Sequence, residues 1–259
     1  MKRLIMIHGM KRSGNHAVIN WLKAHDRFVF FNNIIPVAAI LRGKRTVPPP
    51  EDFRLWLKQR LLSGNPHYPY FVIRFALRRQ SLIVSLEDHA LQVRPFFNVP
   101  LDVTNVLIVR DPYNLFASRI RKSGAVDNPA YPDCAGPTMD RVVDLWKTHA
   151  REALGLTSHL DNKVCVFFNT WYSSRDYRKA LSRELNLEFT DEGFHEVSRI
   201  GGGSSFDSTA HDGDNRMMNV LDRQGSLTEP ERELLETTIA DEELQDLAQQ
   251  FEQMGREMC

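Results

Sequence analysis

At 259 residues the chain is long enough for one large domain with a real core, or for two small ones. It is 42% hydrophobic and 25% charged, with 33 Lys+Arg balancing 33 Asp+Glu. That balance excludes a general polyanion binder, which would be basic, so no nucleic-acid partner is expected and any anion site must be local.

The start, "MKRLIMIHGMKRSG", carries an apolar run that stops at His8. A signal peptide needs ~7–15 apolar residues and a small-residue cleavage site, so none is expected here. No stretch approaches the ~18 apolar residues of a membrane span. Cys134, Cys165 and Cys259 are too few and too scattered for a disulfide framework, and no Cys-x-x-Cys pair suggests zinc. They read as reduced thiols, which implies a cytoplasmic protein with no metal site.

In chain order, "RLIMIHG" suits a buried strand, and "GNHAVINWLKAHD" has helical spacing that gathers Val18, Trp21 and Leu22 on one face. Residues 26–60 read as irregular until "TVPPPED", a turn or helix start, and "EDFRLWLKQRLL", an amphipathic helix. "SGNPHYPYF" is loop-like. "SLIVSLEDH" (81–89) and "TNVLIVRDP" (104–112) read as the second and third strands, the latter apolar enough to be buried on both faces. A helix follows from Pro112, capped by Asp111 and ended by Ser123-Gly124. "AVDNPAYPDCAGP" is a polar loop, "TMDRVVDLWKTHAREALGL" a long amphipathic helix, "NKVCVFFNTW" a fourth strand and "SRDYRKALSRELNL" a further helix. "GGGSSFDSTAHDGDNRMMN" (201–219) is either a mobile loop or a disordered segment. An acidic helix runs from "LTEPERELL" to the end, packing through Leu234, Leu235, Ile239, Leu244, Leu247 and Phe251. Strands alternating with helices predict a parallel sheet flanked by helices, and with no repeat or linker the chain reads as one domain, 1–259.

The stretch "GMKRSGNHAVINWL" (9–22) sits between the first strand and the first helix. Glycines there let a phosphate approach backbone N–H groups at a helix N-terminus, where the helix dipole adds positive charge. Ser13, Asn15 and His16 add polar side chains, and Lys11 and Arg12 bring cations. A nucleotide triphosphatase needs Lys directly after the second glycine, then Ser or Thr for Mg²⁺. Here Asn15 and His16 follow Gly14, so a nucleotide with a 5′ phosphate-like group and no Mg²⁺ fits better. A second anion site is offered by Arg110 at the end of the third strand, the sheet edge where ligands bind, and by Ser118 about two turns into the next helix.

Together the two units resemble the sulfotransferases that use 3′-phosphoadenosine 5′-phosphosulfate (PAPS). "RSGNH" (12–16) looks like that family's 5′-phosphosulfate loop, with Asn15 and His16 in place of two Thr. "RDPYNLFAS" (110–118) matches the family's 3′-phosphate motif through Arg110, Pro112 and Ser118. "VCVFFNTWYSSRDYRKALSRELNLEF" is similar to a third, later strand–helix feature, with Asn169-Thr170 replacing the usual acidic residue. The resemblance spans residues 1–190 in order and spacing.

It implies a three-layer α/β sandwich around a mainly parallel sheet, of the P-loop nucleotide-hydrolase type. It also implies transfer of a sulfuryl group from PAPS to a hydroxyl or amine of a small-molecule or carbohydrate acceptor, with no metal. Lys11, Arg12, Ser13, Gly14, Asn15 and His16 would hold the 5′ end of the donor, and Arg110 and Ser118 its 3′-phosphate. Arg12 stands at the family's catalytic Lys, with Lys11 able to share its role in stabilising charge on the departing oxygen. The base that takes the acceptor's proton is sought in "SLEDH" (85–89): Glu87 first by rough alignment, His89 second, with Asp88 also at hand. His8 reads as a satisfied buried histidine. "DRQG" (222–225) weakly echoes a late donor-covering loop, making Arg223 and Gly225 candidates and 201–225 a possible mobile lid. Trp21, Trp56, Trp146 and Trp171 read as core. The alternatives are a P-loop kinase or other nucleotide triphosphatase, and a non-catalytic nucleotide-binding scaffold.

Overall fold

The computed structural model describes residues 3–32, 80–92, 103–123, 139–197, 206 and 214–257. Five strands form one parallel sheet in the order β2-β3-β1-β4-β5: β1 Leu4–Gly9, β2 Val29–Phe31, β3 Leu82–Glu87, β4 Thr104–Val109 and β5 Lys163–Phe167. Every residue of β1 is buried, as its unbroken apolar run requires of a central parallel strand. The sequence order reverses around β1, whose neighbours are β3 and β4. In open parallel sheets a crevice for ligands opens at that point, beyond the carboxyl ends of the strands. Gly9 pairs there with Glu87 on one side and Ile108 on the other.

Helices cover both faces. Ile5 and Ile7 share a core cluster with Val18, Ile19, Trp21 and Leu22 of α1 (Asn15–His25). Side chains alternate along a strand, so Met6 and His8 point to the opposite face. There α3 (Met139–Ala153) packs against β4. A second cluster joins α2 (Pro112–Ser123) and α3 to α6 (Glu229–Ile239) and α7 (Glu242–Glu257) through Leu115, Phe116, Ile120, Trp146, Leu235, Leu244 and Leu247. The expected three-layer α/β architecture with a parallel sheet is present. Trp21, Trp146 and Trp171 are fully buried, as expected of core residues. Among the described residues no helix is long and apolar enough to cross a membrane.

Local chemistry explains the element boundaries. Asp111 caps α2 by accepting the Asn114 N–H at 2.8 Å, and Pro112 occupies the first turn, where its missing N–H is not needed. Thr228 and Glu231 form a reciprocal capping box at α6.

Three boundaries differ from the expectation. β2 lies inside the stretch read as irregular, because a three-residue strand has too few positions to show a period. The run "NKVCVFFNTW" is not one strand: β5 ends at Phe167 and α4 (Phe168–Ser173) begins at once. The Tyr177 hydroxyl of α5 (Arg175–Glu184) donates to the Cys165 carbonyl at 3.1 Å and accepts the Phe167 N–H at 3.2 Å, satisfying the open edge of β5. The acidic C-terminal helix is two helices, because Asp241 accepts the Leu244 N–H at 2.8 Å and starts α7 afresh. The helix expected at 51–62, Trp56 and the polar loop at 125–137 lie outside the described residues.

Candidate functional site

The loop between β1 and α1 is shaped by two left-handed residues, Arg12 (φ 73°) and Gly14 (φ 88°). Ser13 N–H closes its turn on the Met10 carbonyl at 3.1 Å. Gly14 has a second reason to lack a side chain: a Cβ there would overlap the ring of Phe168, the first residue of α4. A Cβ on Gly9 would likewise overlap the Asn15 amide. Asn15 is turned inward. Its Nδ2 donates to the Met10 carbonyl and to Glu87 Oε1, both at 3.1 Å, so this side chain ties the loop to the end of β3. Among the described residues, the backbone N–H groups of Gly14, Asn15 and His16 have no acceptor. They are the donors that a helix N-terminus leaves open.

Asp88, also left-handed at φ 54°, braces the same loop from below. Its carboxylate accepts the Lys11 N–H at 3.0 Å and pairs with the guanidinium of Arg119, and Arg119 Nε donates to the Lys11 carbonyl at 3.1 Å. Both side chains are almost completely buried, so Lys11 is fixed through its backbone.

The second unit converges on the first. Arg110, at the end of β4, donates through Nη1 to the Arg12 carbonyl at 3.1 Å and through Nη2 to the Val220 carbonyl, and lies over the Phe168 ring. Among the described residues its Nε is buried without a partner. Burial brings this guanidinium down to about 10, with Arg223 and Arg12 pushing the same way and Asp111 opposing, so it stays charged at neutral pH. Arg12 Nε donates to Ser118 Oγ at 3.2 Å. Arg12, Arg110 and Ser118 thus meet in one place.

The segment 214–225 is strapped onto this arrangement. Asn114 donates to the Leu221 carbonyl at 2.9 Å and accepts the Arg223 N–H at 2.5 Å, while the buried Arg223 guanidinium lies over Phe206. Residues 201–205 and 207–213 of the expected lid lie outside the described residues. Gly225 sits in a turn, its N–H on Asp222 Oδ1 at 3.2 Å.

The "SLEDH" residues separate. Glu87 faces the loop, with Oε1 4.0 Å from His16 Nε2. His16 stands in the first turn of α1, edge-on to Phe30, and burial lowers its pKa, with Arg12 adding to and Glu87 opposing the effect. His89 goes the other way: its Nδ1 meets the Ala90 carbonyl at 2.9 Å, and its own carbonyl meets His149 Nε2 of α3 at 3.3 Å. His8 is buried on that side, with Nε2 on Asn105 Oδ1 at 2.8 Å.

Neither a protein-family model nor a curated protein sequence matches the chain. A solved sulfotransferase domain from the curacin biosynthetic pathway superposes with a TM-score of 0.54, covering 97% of this chain and 98% of that one at 12% identity. The chain has the sulfotransferase fold. A sulfotransferase domain from the olefin synthase of Synechococcus PCC 7002 gives a TM-score of 0.49 at 15% identity, covering 97% of this chain and 96% of that one.

In this sulfotransferase-fold protein, three residues around the loop, Phe168, Arg119 and Asn114, escape sequence reasoning, and Asp88, read from sequence as a base candidate, instead braces the loop through Lys11 and Arg119. Phe168 follows a strand with no break in hydrophobicity, Arg119 and Asp88 lie 31 residues apart, and Asn114 reads only as an ordinary first-turn helix residue. The one available signal was position: Phe168 and Asp88 directly follow the ends of β5 and β3, the edge where the fold places its site.

Proposed function

We propose that the protein is a PAPS-dependent sulfotransferase acting on a hydroxyl or amine of a small-molecule or carbohydrate acceptor in the cytoplasm. The observation that carries this reading is the meeting of Arg12, Ser118 and Arg110 beside the N-terminus of α1. Two cations and a hydroxyl held against open backbone N–H groups form a site for a multiply charged anion. The donor fits the residues present: among the described residues, Ser13 Oγ and Arg110 Nε are buried polar atoms without partners, and the N–H groups of Gly14, Asn15 and His16 have no acceptor.

The roles follow from position. The loop N–H groups, Ser13 and Lys11 hold the 5′ end of the donor. Arg12 stabilises the charge that grows on the departing oxygen. Arg110 and Ser118 take the 3′-phosphate, and Arg223 closes the strap beside them. PAPS, when bound, supplies the sulfuryl group. A nucleotide triphosphatase is disfavoured by Asn15, which stands where the phosphate-gripping Lys would be and spends its amide on Met10 and Glu87.

Thermal unfolding tests the reading. 3′-Phosphoadenosine 5′-phosphate should raise the melting temperature in a concentration-dependent way without metal, as any ligand of the folded state does. ATP or GTP with Mg²⁺ should leave it unchanged. A shift with the triphosphates alone would support the kinase alternative instead.

A further inference from the structure

We infer that His16 is the catalytic base of the proposed transfer and that Glu87 is its positioning residue. The inference rests on the sulfotransferase reading but departs from the simplest assignment, in which Glu87 itself takes the proton. Glu87 is already committed: Oε1 accepts the Asn15 amide at 3.1 Å and faces His16 Nε2 at 4.0 Å. Asn15 is in turn anchored on the Met10 carbonyl. Two hydrogen bonds therefore tie Glu87 through Asn15 to the loop backbone, and its carboxylate stands at ion-pair distance from the imidazole.

That placement biases the tautomer. A carboxylate facing Nε2 favours the proton on that nitrogen and leaves Nδ1 as the lone-pair acceptor, the logic by which a buried carboxylate orients a catalytic imidazole. Phe30 stands edge-on to the ring and limits its rotation. His16 also sits in the first turn of α1, where the helix dipole disfavours an imidazolium. The neutral, proton-accepting form is thus the resting one, and burial and Arg12 act in the same direction. Among the described residues, the charged groups facing the ring are Glu87 from β3 and Arg12 from the loop. His16 keeps partial exposure, whereas Asn15 beside it is sealed in.

The step balances with these groups alone. The acceptor oxygen forms a bond to sulfur as the bond from sulfur to the nucleotide's bridging oxygen breaks. The electron pair leaves with the nucleotide phosphate, near Arg12. The acceptor proton passes to His16 Nδ1, and Glu87 stabilises the resulting imidazolium.

The test needs no knowledge of the natural acceptor, because water can serve. Release of inorganic sulfate from labelled PAPS is followed across pH for the parent protein, His16→Asn, His16→Gln and Glu87→Gln, alongside calorimetric affinity for 3′-phosphoadenosine 5′-phosphate. The inference predicts that both His16 variants lose about 100-fold in sulfate release, within the range of a general base. Their nucleotide affinity should stay within about threefold of the parent, which also reports that they fold. Glu87→Gln should lose less, and its acid limb should move to lower pH, because the carboxylate that raises the imidazole pKa is gone. Parallel loss of affinity and sulfate release would make His16 a nucleotide contact and overturn the inference. So would unchanged turnover in the His16 variants, a deeper loss in Glu87→Gln than in His16→Asn, or a parent protein that binds the nucleotide but releases no sulfate. Failure of the parent to bind the nucleotide at all would instead remove the sulfotransferase reading, and the inference with it.

Discussion

Phe168 fills the space into which a side chain on Gly14 would project. The contact links the first loop to the end of an edge strand: Gly14 opens α1, while Phe168 follows β5, with β4 between β5 and β1. Arg110 lies over the other part of this joint, its guanidinium centre 5.2 Å from the Phe168 ring centroid. One aromatic ring therefore sets both the loop's path and the floor under the principal cation.

Gly14→Ala should be costly for two additive reasons. The backbone at φ 88° strains any residue with a Cβ, and the methyl would drive into a ring that is itself buried. The expected destabilisation is about 2–4 kcal/mol, in the upper range for a single substitution. Urea unfolding of Gly14→Ala beside Gly155→Ala checks the division, because Gly155 shares the positive φ (76°) but has open space around it. Equal losses at the two sites would show that the Phe168 contact contributes nothing.

Asp88 and Arg119 form a buried ion pair that holds Lys11 from both sides, at its N–H and at its carbonyl. Asp88→Ala would leave a buried guanidinium without its counter-charge, at a cost of about 3–5 kcal/mol. Removing both partners, as Asp88→Ala with Arg119→Met, should cost less than the sum of the single changes by at least about 1 kcal/mol. A double-mutant cycle in denaturant measures this, and strict additivity would contradict a direct pair.

The face of the sheet away from α1 buries histidines in their neutral form. Burial holds His8 and His149 at about 4, against 6.5 for the free side chain. The unfolded chain takes up protons near pH 6.5 while the folded one does not until about 4. Stability is therefore complete above pH 6.5 and falls as pH drops through that window. From pH 7.5 to 5 the loss is about 2 kcal/mol per histidine, roughly 4 for the pair. Glu152 shifts the other way, held at about 2 by hydrogen bonds from His159, Thr157, Lys163 and Leu160. Its contribution is lost only below its ordinary 4.5, outside this window. Denaturant midpoints at pH 7.5 and 5.0 should differ strongly in the parent and much less in a His8→Asn, His149→Gln variant. An equal pH dependence in both would mean these rings do not titrate as described.

What the sequence made legible was contiguous. β1, the loop and α1 follow one another, and Arg110, Pro112 and Ser118 lie on one strand end and the helix after it, so glycine spacing and helical spacing suffice to find them. What stayed hidden was made by pairing across the sheet. β2 exists only through its register with β3, some fifty residues on. The inward turn of Asn15 follows from the room left by Gly9 and the carboxylate of Glu87, neither of which a local pattern reveals. The separation of Glu87 from His89 is equally non-local: two residues apart, they leave the strand toward opposite helices, one to α1 and one to α3.

The central claim is that Arg110 and the α1 loop form one donor site, and calorimetry tests it most directly. Binding of 3′-phosphoadenosine 5′-phosphate is measured beside ATP and GTP with Mg²⁺, for the parent and for Arg110→Ala. The account predicts metal-independent binding of the first ligand, weakened about 10–100-fold in the variant, as loss of a charge-assisted hydrogen bond to phosphate requires. Mg²⁺-dependent binding of ATP or GTP, with none of the bisphosphate, would contradict it.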